Sequence, residues 1–500
     1  MMMVFFFGVV LLMSSAVSLA PSVGSWLPVV SASAFGDAGD PQKVEVCGDA
    51  YVVWKIDDDF RVLRDVCPHR LAPLSQGRVD DKGCIECKKS SVFLLICRDS
   101  FLFLFVSPSY ESLGPYHGMA FEGCSGSVKS VPQSGSKLPE LRAEALETVR
   151  TGDLVWAFFD EAKTGEKFSK TQTPEVLFPH LKSQNSKPYF SRDLPYSFDM
   201  LVENFMDPAH IPFAHHSLQG TRADGCEIPM SILAKNESHV EVKFKDLVRK
   251  KPRTGVVSFQ RPVSRVESFS RSEACQVRYH FRTTKDDESL PEEKKNYTTN
   301  LEIFCVPVRE GHSRVFFKSF MPKFVPTWLA HGASNRFLNT DVWLHDAEIE
   351  LRKEDDSAPT RDLRAYRQVT SADVGPVAFR NWWRDSGMAL SPRHSFGPAL
   401  SAPVRLSHRR DLVDAWRWHT KSCAKCRSAL VNAKRTRTAG LAMALACVAI
   451  FQTSVPRICG LSVGLAVAFC ADRAAKIIRG TVDPAELDDR SVAATTPDKQ

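Results

Sequence analysis

The 500-residue chain lacks four features that would place it in a simple structural class. No sign of charge dominates, because 65 basic and 58 acidic residues leave a net charge of only +7. No nucleic-acid-binding motif accompanies its basic clusters, and no internal repeat is evident. Its 14 cysteines form no evident disulfide framework. These absences argue against a repeat architecture, a disulfide scaffold and a nucleic-acid partner.

The segment 204–215 carries the most informative metal signature. It reads Asn204-Phe-Met-Asp207-Pro-Ala-His210-Ile-Pro-Phe-Ala-His215. Two neutral imidazoles, a carboxylate from elsewhere in the chain and open positions for O2 form the facial triad of non-haem Fe(II) oxygenases. Two histidines five residues apart are weak evidence alone, because such pairs are more often ordinary core or surface residues. A second metal signature upstream strengthens the interpretation.

That second signature combines Cys67-Pro-His69 with Cys87 and His117. A C-x-H loop followed by a C-x-x-H loop is the ligand set of a Rieske [2Fe-2S] centre, in which two thiolates hold one iron and two imidazoles the other. The second loop is interrupted here, because residues 88–114 separate Cys87 from Pro115-Tyr-His117-Gly. Deleting these residues would restore the C-x-x-H motif.

The insert 88–114 is interpreted as a translated intron. It starts with two lysines directly after a Cys codon, and the reading TGT-AAG-AAG would contain a GTAAG splice donor. Its Phe-, Leu- and Ser-rich run is what a pyrimidine-rich tract would encode, and 27 codons keep the frame. The alternative is a genuine loop with Cys97 as a substitute ligand, although a rigid pair of cluster ligands tolerates insertions less well than surface loops do.

With both signatures present, the chain resembles Rieske-type non-haem iron oxygenases of the chloroplast pheophorbide a oxygenase family. That family is related to chlorophyllide a oxygenase and to Rieske proteins associated with import at the inner envelope. The resemblance rests on CPHRLAPLSQGRV, PYHGMAFEG, NFMDPAHIPFAHH and HTKSCAKC, and it covers most of the chain. It implies a [2Fe-2S] cluster and a mononuclear Fe(II). The implied cluster ligands are Cys67, His69, Cys87 and His117, and the implied iron ligands are His210 and His215.

The third iron ligand is expected from an acidic residue just ahead of a later hydrophobic helix, as the resemblance implies. Asp341 is the predicted ligand. Asp346 and Glu348 are the alternatives, although acidic residues at such positions are more typical of a solvated helix face.

Asp207 and Asn204 are predicted to support the iron site. The resemblance implies that Asp207 hydrogen-bonds an iron-bound histidine and a cluster histidine of a neighbouring subunit, which implies a homotrimer. The position of Asp207 before Pro208 also suits helix capping, and both roles can hold at once. Asn204 either positions solvent near the iron or is structural.

The predicted fold class is α+β, with an N-terminal antiparallel β Rieske domain over residues 26–165. Short strands separated by turn residues predict this domain. Alternating apolar and polar residues at 240–247 and 277–282 predict an antiparallel sheet in a catalytic domain over residues 186–398. The resemblance implies that this sheet wraps around a long helix. The predicted Rieske strands are 51–56, 60–63 and 154–159.

A C-x-x-C pair, Cys423 and Cys426, lies in a predicted linker over residues 399–437. One such pair is too small for a closed zinc site without partners. In a reducing compartment it favours a redox-switchable pair, and the resemblance implies a regulatory disulfide linked to thioredoxin. Two ordinary thiols are the alternative.

Two apolar runs at 438–455 and 458–471, separated by Pro456-Arg457, predict a transmembrane helical hairpin over residues 438–472. A polar tail over 473–500 follows. Basic residues flank both outer ends, which would put positive charge on one side of the membrane. A soluble helical pair is the alternative.

Residues 1–25 are predicted to form a targeting segment, with 34 as an alternative end. Their apolar core is typical of a secretory signal peptide, although a basic start is missing. Ala32-Ser-Ala34-Phe35 resembles the cleavage motif of algae whose plastids derive from a red alga. The predicted location is a plastid membrane, either inner envelope or thylakoid. Cleavage at Phe35 would remove the expected first strand of the Rieske domain.

The resemblance therefore implies a membrane-anchored Rieske monooxygenase that takes electrons from reduced ferredoxin and oxygenates a chlorophyll-derived macrocycle with O2. Ring-opening of pheophorbide a is the first expectation and oxidation of chlorophyllide a the second. The alternatives are a redox-sensing envelope protein that regulates plastid protein import, and a mis-spliced product without an intact cluster.

Overall fold

The structure is a computed structural model. The predicted targeting segment up to residue 24, the insert 88–114, His117 and the tail from residue 481 lie outside the residues that it describes. The described residues are 25–36, 40–87, 118–134, 138–159, 173–178, 181, 188–236, 239–260, 275–282, 298–309, 311–319, 321–353, 367, 369–385, 406 and 408–480.

The N-terminal part consists of three small antiparallel sheets with strand orders β1-β11-β10, β2-β3-β4-β9 and β5-β6-β7-β8. Runs of buried apolar residues at 51–54 and 154–157 form the central strands, and Trp54 and Trp156 within them are fully buried. The predicted strands at 51–56, 60–63 and 154–159 are confirmed. The strands are Ser25–Ser31 (β1), Gln42–Val46 (β2), Asp49–Ile56 (β3), Asp59–Arg64 (β4), Arg78–Val79 (β5), Ile85–Glu86 (β6), Ala120–Phe121 (β7), Val128–Ser130 (β8), Ala145–Leu146 (β9), Thr148–Thr151 (β10) and Leu154–Phe159 (β11).

The second part is built on a seven-stranded antiparallel sheet with the order β12-β18-β17-β16-β15-β14-β13. The residues at 239–248 alternate between buried and less buried positions, and Val240, Val242 and Phe244 point into the core and are fully buried. The predicted strands at 240–247 and 277–282 are confirmed. The strands are Tyr189–Leu194 (β12), Met230–Lys235 (β13), His239–Val248 (β14), Lys251–Gln260 (β15), Cys275–Arg282 (β16), Thr298–Arg309 (β17) and His312–Lys318 (β18).

The two parts share a core. Trp156 of β11 stacks on Phe178 and meets the ring of Phe304 in β17 edge to face, with centroids 5.2 and 5.3 Å apart. Nine helices accompany the sheets within the described residues. They are Pro174–Leu177 (α1), Phe198–Phe205 (α2), Ile211–Ala214 (α3), Thr327–Asn339 (α4), Trp343–Lys353 (α5), Val374–Asp385 (α6), Arg409–Val413 (α7), Ala424–Ile450 (α8) and Ser454–Arg479 (α9).

The expected single long helix after the sheet is wrong, because α4 and α5 are separate helices. The Thr340 hydroxyl donates to the Phe337 carbonyl at 2.7 Å, and the Asp341 amide bonds the Leu338 carbonyl in a tighter turn. A threonine that bonds the preceding turn in this way competes with regular helical pairing. The break turns Asp341 inward, where it is 1% exposed.

The C-terminal helices also differ from the prediction. α8 begins at Ala424 rather than at residue 438, and the two helices separate at 451–453 rather than at Pro456. Pro456 lies in the first turn of α9, where the backbone amides have no partner within the helix, so the missing N–H costs nothing. α8 and α9 pack antiparallel through Gly440 and Gly464, where a Cβ on either would lie within 3 Å of the other's carbonyl oxygen.

Among the described helices, only α9 is long and apolar enough to cross a membrane by length and composition. Most of its apolar surface faces outward. Val455 and Phe469 are 73% and 66% exposed, and Leu445 and Ile450 of α8 are exposed as well.

Candidate active site

The segment after α2 folds into two short helical turns that bring two histidines together. Asp207 caps the first turn, Pro208–His210, by accepting a hydrogen bond from the Ala209 amide at 2.8 Å. The second turn is α3, and His215 follows it. Each turn has a proline near its start, where the first amides of a helix need no partner.

His210, His215 and Asp341 meet at one point. Their ligand atoms all lie within 4.8 Å of one another. The two Nε2 atoms of the histidines are 3.2 Å apart, and Asp341 Oδ2 lies 3.6 Å from His215 Nε2. Adjacent ligands with metal bonds of about 2.1 Å at right angles would be about 3 Å apart, so the spacing suits one metal ion.

The hydrogen bonds of both imidazoles leave their Nε2 lone pairs facing this point. His210 Nδ1 bonds the Asp207 carbonyl oxygen, which can only accept. His215 Nδ1 lies 2.7 Å from Thr340 Oγ1, and the Thr340 hydroxyl already donates to the Phe337 carbonyl. Each Nδ1 therefore carries the hydrogen, and each Nε2 is free to bind a metal.

The electrostatics of the three residues fit a bound cation. Burial raises the pKa of Asp341 to about 6, and burial followed by the charge of His210 lowers the pKa of His215 well below its usual value. Asp341 Oδ1 has no hydrogen-bond partner among the described residues. Opposed lone pairs and a bare buried carboxylate oxygen are costly unless a cation lies between them. Two imidazoles and one carboxylate suit a mononuclear Fe(II).

The two alternative ligands lie elsewhere. Asp346 is exposed on α5. Glu348 is 2% exposed, so the expectation that it lies on a solvated helix face is wrong. Its carboxylate accepts a hydrogen bond from the Ser197 amide at 2.8 Å, just ahead of α2. The positive end of that helix stabilises a buried negative charge, which explains its position.

Asp207 and Asn204 border the three residues. The Asp207 carboxylate lies 3.7 Å from His210 Nδ1, and its side chain is 29% exposed. Asp207 caps the helical turn, as the sequence suggests, and part of its carboxylate is exposed to solvent. Asn204 is buried, and its side chain bonds Asp341 and partly offsets the rise in the pKa of that carboxyl group.

A small pocket with mostly apolar walls lies beside the two histidines. Phe337 also stacks on the His215 ring at 3.9 Å, which fixes the ring plane. Such a cavity holds an apolar ligand next to a metal and keeps bulk water away. Its other lining residues are Phe205, Ile211, Gln219, Tyr279, Leu301, Ile303, Phe317 and Leu338.

The N-terminal part brings together two of the predicted cluster ligands. Cys67 and Cys87 are 3% and 2% exposed, and a hydrogen bond between their sulfur atoms is the main cause that lowers the pKa of Cys67 to about 6. His69 lies in the turn that follows Cys67 and is exposed. A buried pair of thiols with one thiolate favoured is suited to binding iron.

The described residues on either side of the insert belong to one antiparallel hairpin. β6 pairs with β7, and the Cys87 amide continues the ladder by donating to the Met119 carbonyl at 2.9 Å. Cys87 and Met119 are therefore neighbours across the ladder. Without residues 88–114, the four residues Pro115-Tyr-His-Gly118 would connect them, which is an ordinary loop length for a hairpin.

Cys423 and Cys426 lie away from His210 and His215. Cys423 is the N-cap of α8 and Cys426 lies in its first turn, so the pair begins a long helix rather than occupying a linker. Both thiols are buried.

Thr340 and Phe337, which orient His215, carry no sequence signal and were not predicted.

Two family models match the chain. Residues 25–89 match the Rieske [2Fe-2S] domain, and residues 275–357 match pheophorbide a oxygenase. The first match contains Cys67, His69 and Cys87 and ends two residues into the insert. The second match contains Asp341.

Three curated relatives align with most of the chain. Protochlorophyllide-dependent translocon component 52, chloroplastic, of Arabidopsis thaliana is 28% identical over 81% of this chain and 73% of the relative. Flavonoid 8-hydroxylase 2, chloroplastic, of Ocimum basilicum is 27% identical over 80% and 72%. Pheophorbide a oxygenase, chloroplastic, of Arabidopsis thaliana is 27% identical over 81% and 72%.

Proposed function

The chain belongs to the Rieske non-haem iron oxygenase family, and we propose that it is a membrane-anchored monooxygenase of chlorophyll-derived macrocycles. The observation that carries the proposal is the convergence of His210, His215 and Asp341 beside an apolar cavity. These three residues would hold the mononuclear iron, which supplies O2 activation when bound.

The surrounding residues give the site its chemical properties. Thr340 and the Asp207 carbonyl fix the orientation of the two imidazoles, so the metal-binding lone pairs need no rearrangement. Asn204 holds the Asp341 carboxylate. The apolar walls exclude water from the side on which substrate would lie.

Electrons would enter through the N-terminal part. Cys67, His69, Cys87 and His117 are the proposed cluster ligands, and reduced ferredoxin is the proposed donor. Asp207 would link the two centres, because it contacts His210 on one side and solvent on the other. Its exposed edge and the exposed His69 are compatible with electron transfer between neighbouring subunits of a homotrimer.

The proposed substrate is pheophorbide a, with chlorophyllide a second. The match to the pheophorbide a oxygenase model and two relatives named for chlorophyll-type compounds support this choice. A flavonoid is the competing substrate class, because a relative named for flavonoid hydroxylation is 27% identical over a similar share of the chain.

The proposed location is a plastid membrane, with a targeting segment that ends before β1. Relatives named as chloroplastic support the plastid. The exposed apolar surface of α9, continued on α8, supports a membrane anchor formed by both helices. Arg437 and Asp472 pair at 2.9 Å at the basic end of the two helices, where headgroups would meet charged side chains.

The experiment is a comparison of three substrates. Protein without residues 88–114, reduced with ferredoxin, is mixed with 18O2 and either pheophorbide a, chlorophyllide a or a flavone, and the products are analysed by mass spectrometry. Label in the pheophorbide product alone is expected. Label only in the flavone product would overturn the proposed substrate class. No label in any product, from protein with full iron content, would favour the redox-sensing alternative without turnover.

A further inference from the structure

Two cysteines and two histidines form a buried cluster outside the active site. Cys423 and Cys426 lie at the start of α8, His331 lies in α4, and His419 lies in the π-helical turn Trp416–Thr420. All four side chains are between 2% and 6% exposed. Their ligand atoms lie within 4.8 Å of one another, although the four residues come from three separate segments of the chain.

The distances within this cluster match a tetrahedral metal site. His331 Nδ1 is 3.0 Å from His419 Nε2. Cys426 Sγ is 3.3 Å from His331 Nδ1 and 3.4 Å from His419 Nε2, and Cys423 Sγ is 3.7 Å from His331 Nδ1. Zinc bonds of about 2.3 Å to sulfur and about 2.0 Å to nitrogen predict about 3.3 Å between nitrogens and about 3.6 Å between sulfur and nitrogen.

The hydrogen bonding of His419 also suits a ligand. Its Nδ1 lies 2.7 Å from the Ser191 carbonyl oxygen, which can only accept. Nδ1 therefore carries the hydrogen, and the Nε2 lone pair points into the cluster. Zinc-bound histidines usually donate their other ring hydrogen to such an acceptor, which fixes both tautomer and ring orientation.

The surroundings are apolar. The Phe190 ring packs against both imidazoles, with centroids 4.6 Å from His419 and 5.2 Å from His331. Trp328, Leu430 and Ile478 pack around the two cysteines. Two thiolates neutralise a divalent cation, so the occupied site carries no net charge and can be buried at low cost.

We propose that His331, His419, Cys423 and Cys426 bind a structural Zn²⁺ ion. Two thiolates and two imidazoles in a tetrahedral arrangement favour zinc over metals that prefer oxygen ligands, and four protein ligands leave no open position for catalysis. The ion joins α4, the π-helical turn and the start of α8. The hydrogen bond from His419 to Ser191 then connects this group to β12, so the ion fixes the C-terminal helices on the catalytic sheet. A disulfide between the two cysteines would exclude this ion.

The first test is the metal content of the full chain, purified without added zinc and without a metal-affinity step. About one zinc ion per chain is expected by mass spectrometry. Cys426→Ala and His331→Ala should reduce it to background. Cys305→Ala is the matched control, because Cys305 is equally buried but lies in β17 outside the cluster. It should keep the zinc.

A second measurement guards against variants that fail to fold. Unmodified protein, stripped of zinc under reducing conditions and supplied with Co²⁺, should develop the visible absorption bands of tetrahedral cobalt bound to thiolates. Wild-type protein without zinc, zinc retained in both cluster variants, or absence of the cobalt bands would each overturn the proposal. A Cys423–Cys426 disulfide in protein isolated under reducing conditions would overturn it as well.

Discussion

His215 Nδ1 donates a hydrogen bond to Thr340 Oγ1 across 2.7 Å, and the Thr340 hydroxyl donates a hydrogen bond to the Phe337 carbonyl. This relay connects two segments that are 125 residues apart in sequence. Thr340 lies in the turn that separates α4 from α5. The same break therefore places Asp341 at the proposed iron site and orients one of the two histidines.

Thr340→Val keeps the shape of the side chain but removes the acceptor for His215. The imidazole is then free to rotate or change tautomer, so the affinity for Fe(II) should fall about 10- to 100-fold. Anaerobic iron titration measures the change. Thr340→Ser retains the hydroxyl and should bind iron nearly as tightly as the wild type. Equal affinity in the valine and serine variants would show that the relay has no role.

The sequence predicted the parts of the site that lie close together in the chain. The segment with His210 and His215, together with the upstream Cys67-Pro-His69 signature, predicted two iron ligands, and family resemblance added Asp341; the structure brings the three residues together. Sequence reasoning could not identify Thr340, because its hydroxyl becomes relevant only where the helix breaks. A single C-x-x-C pair likewise gave no sign that His331 and His419, 88 residues apart, would surround it.

The errors in the predicted fold have a common physical origin. The resemblance implied a helix after Asp341 and two apolar runs predicted helices near the C-terminus, but neither indicated where the helices would begin or end. The end of α4 depends on one hydroxyl bond from Thr340. Pro456 was read as a break, although proline in a first turn is compatible with the helix.

Glu122 stabilises a turn of the N-terminal part in a pH-dependent way. A hydrogen bond from the Ser125 hydroxyl, followed by one from the Cys124 amide, lowers its pKa to about 2. Because the pKa is depressed on folding, this stabilisation is complete above the unfolded value of about 4.3 and is lost as the pH falls towards 2.

Glu122→Gln should therefore lower the free energy of unfolding at pH 7 by less than about 1 kcal/mol, since the site is partly exposed. It should also flatten the acid limb of the stability curve, as measured by urea unfolding between pH 2 and 6. Glu140→Gln, an exposed carboxylate in the same part of the chain, is the control. Parallel acid limbs for Glu122→Gln and the wild type would contradict the account.

Strand β1 determines where the targeting segment can be cleaved. Trp26 and Leu27 are 3% and 0% exposed, and β1 forms the ladder with β11. Burial of two such side chains contributes about 1.5 to 3 kcal/mol each. A chain starting at Ser25 should unfold cooperatively on heating, whereas one starting at Phe35 should be insoluble or lose its thermal transition. A stable protein that starts at Phe35 would contradict this role of β1.

Residues 88–114 are proposed to be a retained intron, since Cys87 and Met119 are neighbours in a hairpin that residues 115–118 alone could close. Iron and sulfide are reconstituted into the chain with and without these residues, and the reduced proteins are examined by EPR. The account predicts a Rieske signal only in the shortened form. Equal signals would make the insert a genuine loop, and no signal in either form would count against Cys67, His69, Cys87 and His117 as cluster ligands.

The most direct test of the central claim is single-turnover oxygenation of pheophorbide a with 18O2. The reaction is run with the shortened, fully reduced protein and with its His210→Ala variant. His216→Ala is the matched control, because this histidine follows His215 but lies outside the ligand group. The account predicts labelled product from wild type and His216→Ala, and none from His210→Ala with its cluster EPR signal unchanged. Labelled product from His210→Ala at the wild-type yield would contradict the assignment of this site to the iron.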